Sequence, residues 1–138
     1  MRNRAIARGL ALVMSLVSAA VLTAQTGEKT ATQFYMEYRT AFDKAKAVED
    51  IMPFMSAARR KQVESTPAAE RKEMFDMIKT LGALTNIKVT KETRTANGAT
   101  LMVDALDGDK SKTTGTITLV QENGAWKIDK ESFKSSSN

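Results

Sequence analysis

The apolar positions of this chain change period halfway along, from helical spacing to alternation, and that change predicts the fold. At Thr30-Ala31-Thr32-Gln33 a hydroxyl stands at a helix cap with an amide three residues later, the form of a capping box. Phe34, Tyr38, Ala41, Phe42 and Ala45 then recur at helical spacing, so one stripe of a first helix is expected to face a core. Glu37, Arg39, Asp43, Lys44 and Lys46 are expected on its other side. A shorter helical piece over Ala47 to Met52 stops near Pro53, with Phe54 and Met55 as apolar anchors. Ser56 is placed to cap a mostly polar third segment, Ala57 to Glu64. Thr66-Pro67 is a stronger start, a capping hydroxyl with proline at the first helical position. Met74, Phe75, Met77, Ile78 and Leu81 give that helix a broad apolar face, and Gly82 is placed to end it in the left-handed conformation.

After Leu84 the pattern alternates. Ile87 and Val89 stand between Asn86, Lys88 and Thr90, as in a half-exposed strand. Asn97-Gly98 reads as a type I′ hairpin turn, which needs positive φ at both central residues. Leu101 to Leu106 is the next strand, and Asp107-Gly108 begins the following connection. Thr113 to Gln121 is a third strand, with Ile117 and Leu119 on one face and Thr116 and Thr118 on the other. Asn123-Gly124 turns into a fourth, where Trp126 and Ile128 alternate with Lys127 and Asp129. Helices followed by a meander with one apolar face predict an α+β domain, the N-terminal helices packed on one face of a four-stranded antiparallel meander.

The N-terminus has a different texture. Arg2, Arg4 and Arg8 precede an apolar run from Leu10 through Leu22, closed by Ala19, Ala20, Thr23 and Ala24. A basic start, a short apolar run and small residues describe a secretory signal peptide. The run falls short of the ~18 strongly apolar residues of a membrane span. An uncleaved N-terminal anchor is the competing reading. Cleavage after Ala24 places bulky Leu22 two residues before it, and cleavage after Ala20 places Ser18 there. The expected organisation is a signal peptide over 1–24, a short polar stretch over 25–29, one domain over 30–133 and a flexible tail over 134–138.

That leader changes the charge argument. It holds three of the 21 basic residues, so 18 remain against 16 acids and the mature net charge is +2. The basic residues are interleaved with acids, as in Glu70-Arg71-Lys72-Glu73, which argues against nucleic acid as a partner. Roughly 110 residues remain, enough for one domain with one modest core. The chain has no cysteine, which excludes disulfides, a thiol nucleophile and thiolate metal sites. It has no histidine, which removes the commonest general base and zinc ligand. Catalysis would have to rest on carboxylates, tyrosines or lysines.

A first helix beginning Phe34-Tyr35-Met36-Glu37-Tyr38, short helices, and a close on Thr116-Ile117-Thr118-Leu119-Val120-Gln121-Glu122-Asn123-Gly124-Ala125-Trp126-Lys127-Ile128-Asp129 resemble the nuclear transport factor 2-like superfamily, the cystatin-like cone fold. The likeness is to its small exported bacterial members of unknown function, and spans Thr30 to Phe133. It implies a curved, cone-like sheet wrapped around helices, sometimes leaving a conical pocket, and frequent dimerisation through the sheet. The superfamily holds isomerases, dehydratases, transport factors and association domains, so fold does not convert into activity.

Asp104 is the first candidate for chemistry. Its strand is apolar on both faces, so the carboxylate is a candidate for burial against apolar surface, where desolvation raises a pKa toward neutrality. The ketosteroid isomerases of the superfamily use an aspartate base with tyrosine and protonated aspartate donors, a role that the resemblance extends to Asp104 with Tyr35 or Tyr38. No second aspartate is placed as the base, since Asp43 and Asp50 fall on charged helical stretches. The competing reading is an exposed Asp104 pairing with a lysine. Met36, Met52, Met55, Met74, Met77 and Met102 are the second candidate, either as adaptable pocket lining or as ordinary core. The candidate pocket is lined by Tyr38, Met74, Met77, Met102 and Trp126, with Trp126 also readable as a core anchor. Asp104, Asp107 and Asp109 lack the spacing and closing glutamate of an EF-hand, so no metal site is expected.

The sequence therefore points to an exported, non-catalytic cone-fold domain without a cofactor, binding a small apolar ligand or a protein partner and forming a homodimer. The alternatives are a cofactor-free isomerase or lyase using Asp104 with Tyr35 or Tyr38, and a membrane-anchored component of an envelope assembly.

Overall fold

The computed structural model describes residues 28–136, and the expected signal peptide lies outside them. Helix α1 (Ala31–Lys44) starts on the predicted capping box: Gln33 N–H donates to Thr30 Oγ1 at 3.1 Å, and Thr30 N–H donates to Gln33 Oε1 at 2.9 Å. Two single 3₁₀ turns, Val48–Asp50 and Met52–Phe54, carry the chain past Pro53. Helix α2 (Ala57–Glu64) is capped by Ser56 and helix α3 (Ala68–Leu81) follows. Strands β1 (Thr85–Thr95), β2 (Gly98–Leu106), β3 (Lys112–Glu122) and β4 (Ala125–Ser135) pair in sequence order, each antiparallel to the next.

The result is the α+β architecture expected, with the helices on one face of a curved four-stranded meander among the described residues. Leu101, Val103, Ile117, Leu119, Trp126 and Ile128 are buried on the inner face. Against them pack Tyr35, Tyr38 and Phe42 of α1, then Ile51, Met55 and Phe75. Lys88, Thr90, Met102, Asp104, Thr114 and Thr116 are exposed on the outer face. Such one-sided burial is what an antiparallel sheet with a solvated outer face requires.

Several local expectations are corrected. Arg39 is on the buried side of α1, only 4% exposed, because 35, 38, 39 and 42 share one helical face. Thr66 does not cap α3: its hydroxyl donates back to Gln62 O, and Pro67 occupies the cap position. Gly82 ends α3 with φ −93°, so no left-handed residue is needed there. The first hairpin turns on Ala96-Asn97, and Gly98 is already the first residue of β2. It is buried there, and a Cβ at this position would strike Leu119 O. The Asn123-Gly124 turn is as expected, with φ of 52° and 77°. Strand β4 runs on through Ser135, past the predicted end of the domain at residue 133.

One irregularity positions the functional surface. Thr118 pairs with Lys130 while Leu119 pairs with Ile128, so Asp129 is an extra residue, a β-bulge. An inserted residue reverses which side chains face inward. Before the bulge Trp126 and Ile128 face the core; after it Glu131 and Phe133 do. The bulge also holds α2: Ser56 Oγ donates to Asp129 Oδ1 at 2.8 Å, and Ser56 N–H donates to Ile128 O at 2.8 Å.

Candidate functional site

Between the helices and the far half of the sheet lies a cavity of about 680 Å³, open to solvent on one side. Its size is within the roughly 300–1,000 Å³ of small-molecule sites. Tyr38 and Phe42 of α1, Met55, Val63 of α2, Phe75 of α3 and Phe133 of β4 give it a largely apolar wall. The space for Phe133 is made by Gly115 on the neighbouring strand, where a Cβ would collide with the Phe133 ring. Met74, Ile78 and Leu81 of α3 also line it, yet each is more than two-fifths exposed, so they form its rim.

A polar cluster interrupts this wall. Tyr38 Oη donates to Glu131 Oε2 at 2.9 Å, and Arg59 Nη2 donates to the same oxygen at 3.2 Å. Arg59 is carried by α2, whose cap is tied to the bulge that turns Glu131 inward, so one irregularity places both partners. Arg39 Nη2 donates to Gly82 O at 3.2 Å, and its guanidinium lies 4.6 Å from the Phe42 ring centre. Among the described residues, Arg39 Nε, Arg59 Nη1 and Glu131 Oε1 are buried without a hydrogen-bond partner, as is Tyr35 Oη deeper in the core. Burial, and then the Glu131 charge, push the Tyr38 phenol well above its ordinary pKa, so it is a neutral donor at physiological pH. The Tyr35 phenol is raised for the same reasons in the same order.

The predicted site residues are not brought together as a set. Asp104 is exposed on the outer face, opposite Lys88 in the β1–β2 register, while its neighbours Val103 and Ala105 point into the core. The sheet therefore lies between Asp104 and the buried Tyr35 and Tyr38, and the expected aspartate–tyrosine pairing is not formed. Tyr38 and Met74 do line the cavity. Met102 is exposed on the outer face, and Met77 is 54% exposed on α3 outside the lining. Trp126 is a core anchor away from the cavity, its Nε1 donating to Lys29 O at 2.8 Å beneath the Arg94 guanidinium.

Asp107 serves its own loop. Its Oδ1 accepts from the Asp109 and Ser111 amides and its Oδ2 from Ser135 Oγ. The Ser111 amide foremost holds this carboxyl below its ordinary pKa. No group of three or more potential metal ligands exists among the described residues, and no helix there is long and apolar enough to cross a membrane.

Glu131, Arg59 and Arg39 were not singled out by the sequence. Arg39 was detectable, since its spacing from Tyr35 and Phe42 puts it on the apolar stripe. Glu131 was not, because extending the alternation from Trp126 and Ile128 sends it outward, and only the bulge reverses it.

No protein-family profile matches the chain, and neither does any curated protein. Among solved structures the chain is similar to an NTF2-like protein of unknown function from Shewanella baltica OS155, with a TM-score of 0.48 and 14% identity. The match covers 80% of this chain and 100% of that one.

Proposed function

We propose that this protein is a binding domain that takes a small, largely apolar molecule into the cavity under α3. The observation that carries the reading is the cavity itself: about 680 Å³ with aromatic, methionine and branched side chains on its wall and the Tyr38–Arg59–Glu131 cluster among its polar groups. Such a wall removes a ligand's apolar surface from water, worth about 25 cal/mol per Å² before the costs of association. The Tyr38–Arg59–Glu131 cluster would fix the ligand's orientation. The basic and apolar N-terminal run supports the further reading that the domain works after export.

The test is binding of an uncharged environment-sensitive dye such as Nile red to the wild type and to Val63→Trp, which fills the cavity from α2. Saturable fluorescence enhancement in the wild type, lost in a folded Val63→Trp, is the expected result. Enhancement unchanged by the substitution would place the dye elsewhere and defeat the reading.

Met77 favours a second reading. It is exposed on α3 outside the cavity lining, beside exposed Ile78 and Leu81, while the outer face of the sheet is mostly polar. An apolar helix face of this kind suits a protein partner, a second copy of the chain being the simplest. Sedimentation velocity of the wild type and Met77→Lys tests it: a dimer dissociated by the lysine supports a partner on α3, and a monomer in both opposes self-association there.

A further inference from the structure

We propose that the polar end of the ligand carries a single negative charge, so that the cavity is suited to an amphiphilic carboxylate rather than to a neutral or cationic amphiphile. This deepens the binding-domain reading and rests on it. Charged groups are concentrated at the corner around Tyr38. Arg39 and Arg59 both line the cavity, the Arg59 guanidinium on Glu131 and the Arg39 guanidinium between Gly82 O and the Phe42 ring. Arginine stays charged at any physiological pH. Of the two carboxylates that line the cavity, Glu131 is engaged by Arg59 at 3.2 Å and Asp107 by its own loop and Ser135.

Among the described residues Arg39 has no comparable counter-ion. Its side chain is 5% exposed, and the acid within ion-pair range is Asp43, at 3.9 Å with a side chain 62% exposed to water. A pair so long and so solvated offsets little of the cost of burying a guanidinium. The Gly82 carbonyl and the Phe42 ring stabilise the charge in part without neutralising it.

Hydrogen-bond accounting gives the same sign. The unpartnered buried atoms of the corner include two donors on arginines, Arg39 Nε and Arg59 Nη1, against one acceptor, Glu131 Oε1. Since arginine cannot accept, the complementary head group must be richer in acceptors than in donors. A carboxylate supplies acceptors alone, one negative charge, and the planar geometry that a guanidinium matches.

The rest of the cavity fits a hydrocarbon tail. Val63 and Phe75 continue the apolar wall from the corner, and Met74, Ile78 and Leu81 continue it to the mouth while still exposed. A tail laid along this path would remove their surface from water, which gives these exposed residues an occupant.

Isothermal titration of the purified protein with dodecanoate, methyl dodecanoate and dodecylamine, each below its micellar concentration, tests the proposal. Dodecanoate is expected to bind about tenfold or more tighter than its ester, the usual worth of a charge-assisted hydrogen bond in a desolvated site. In Arg39→Gln the acid is expected to lose that advantage, so that acid and ester bind within about twofold of one another. The wild-type ratio decides the matter even where Arg39→Gln fails to fold, because it needs no variant. An ester that binds as tightly as the acid overturns the anionic head and leaves the binding-domain reading standing. Preference for the amine overturns it in favour of Glu131 Oε1 as the anchor. No binding by any of the three overturns the binding-domain reading and this proposal with it.

Discussion

Tyr38 Oη donates to Glu131 Oε2 at 2.9 Å, a bond between the first helix and the last strand that spans 93 positions of the chain. It closes the fold and also forms the polar end of the cavity, because Arg59 reaches the same carboxylate oxygen from α2. Three elements distant in sequence thus meet on one atom. The phenol is held neutral by burial and by Glu131, which keeps it a donor to that atom.

Tyr38→Phe removes this donor without opening a cavity, leaving the Glu131 oxygen with Arg59 alone. Stripping one partner from a buried charged acceptor costs about 1–3 kcal/mol. Urea unfolding is expected to show a lower midpoint with an unchanged m-value. No loss of stability would mean that the phenol contributes nothing to holding Glu131.

The two tyrosines also fix the behaviour at high pH. Their folded-state pKa values lie above the ordinary 10.0, so the folded protein keeps protons that the unfolded chain releases. Their stabilising contribution is complete below pH 10 and is lost progressively as pH rises above it. Spectroscopic titration is expected to show tyrosinate appearing together with loss of near-ultraviolet circular dichroism. A tyrosinate transition at the ordinary value, with the fold intact, would contradict the burial of both phenols.

Most of the architecture could be read from the chain because the residues that carry it obey local rules. The Thr30–Gln33 capping box and the Asn123-Gly124 turn are local devices, and both form as read. Gly98 departs because Leu119 O on the neighbouring strand leaves no room for a side chain, a tertiary demand that looks like turn chemistry in one dimension. The site was less legible for the same reason. Asp104 lies on a strand that is apolar on both faces in sequence, but the register puts Leu101, Val103 and Ala105 inward together and so sends Asp104 out. The residue that mattered, Glu131, sits beyond an extra residue at Asp129, and nothing in the local sequence announces a bulge there.

Asp104→Asn is therefore expected to be silent. An exposed residue on the outer face should change stability by no more than about 0.5 kcal/mol. Dye affinity should be unchanged as well. A large loss of binding would mean that the outer face of β2 belongs to the site after all.

Helix α3 rests on few contacts. Phe75 meets the Phe42 ring edge-on at 6.2 Å between centres, and Lys79 Nζ donates to Phe42 O at 2.7 Å and Asp43 O at 2.9 Å. Phe75→Ala should cost about 3 kcal/mol or more. Hydrogen exchange should accelerate across Ala68–Leu81 well before the paired strands, since Phe75 is the buried residue of this helix. Equal acceleration in helix and sheet would show that α3 and the sheet open as one unit.

The most direct test of the account is a chemical-shift titration of the protein with dodecanoate, followed at backbone amides and methionine methyls. Saturable changes are expected at Met55, Met74, Val63, Phe75 and Glu131, with Met102 and Asp104 on the outer face unmoved. Changes confined to the outer face, or no saturable change at all, would contradict it.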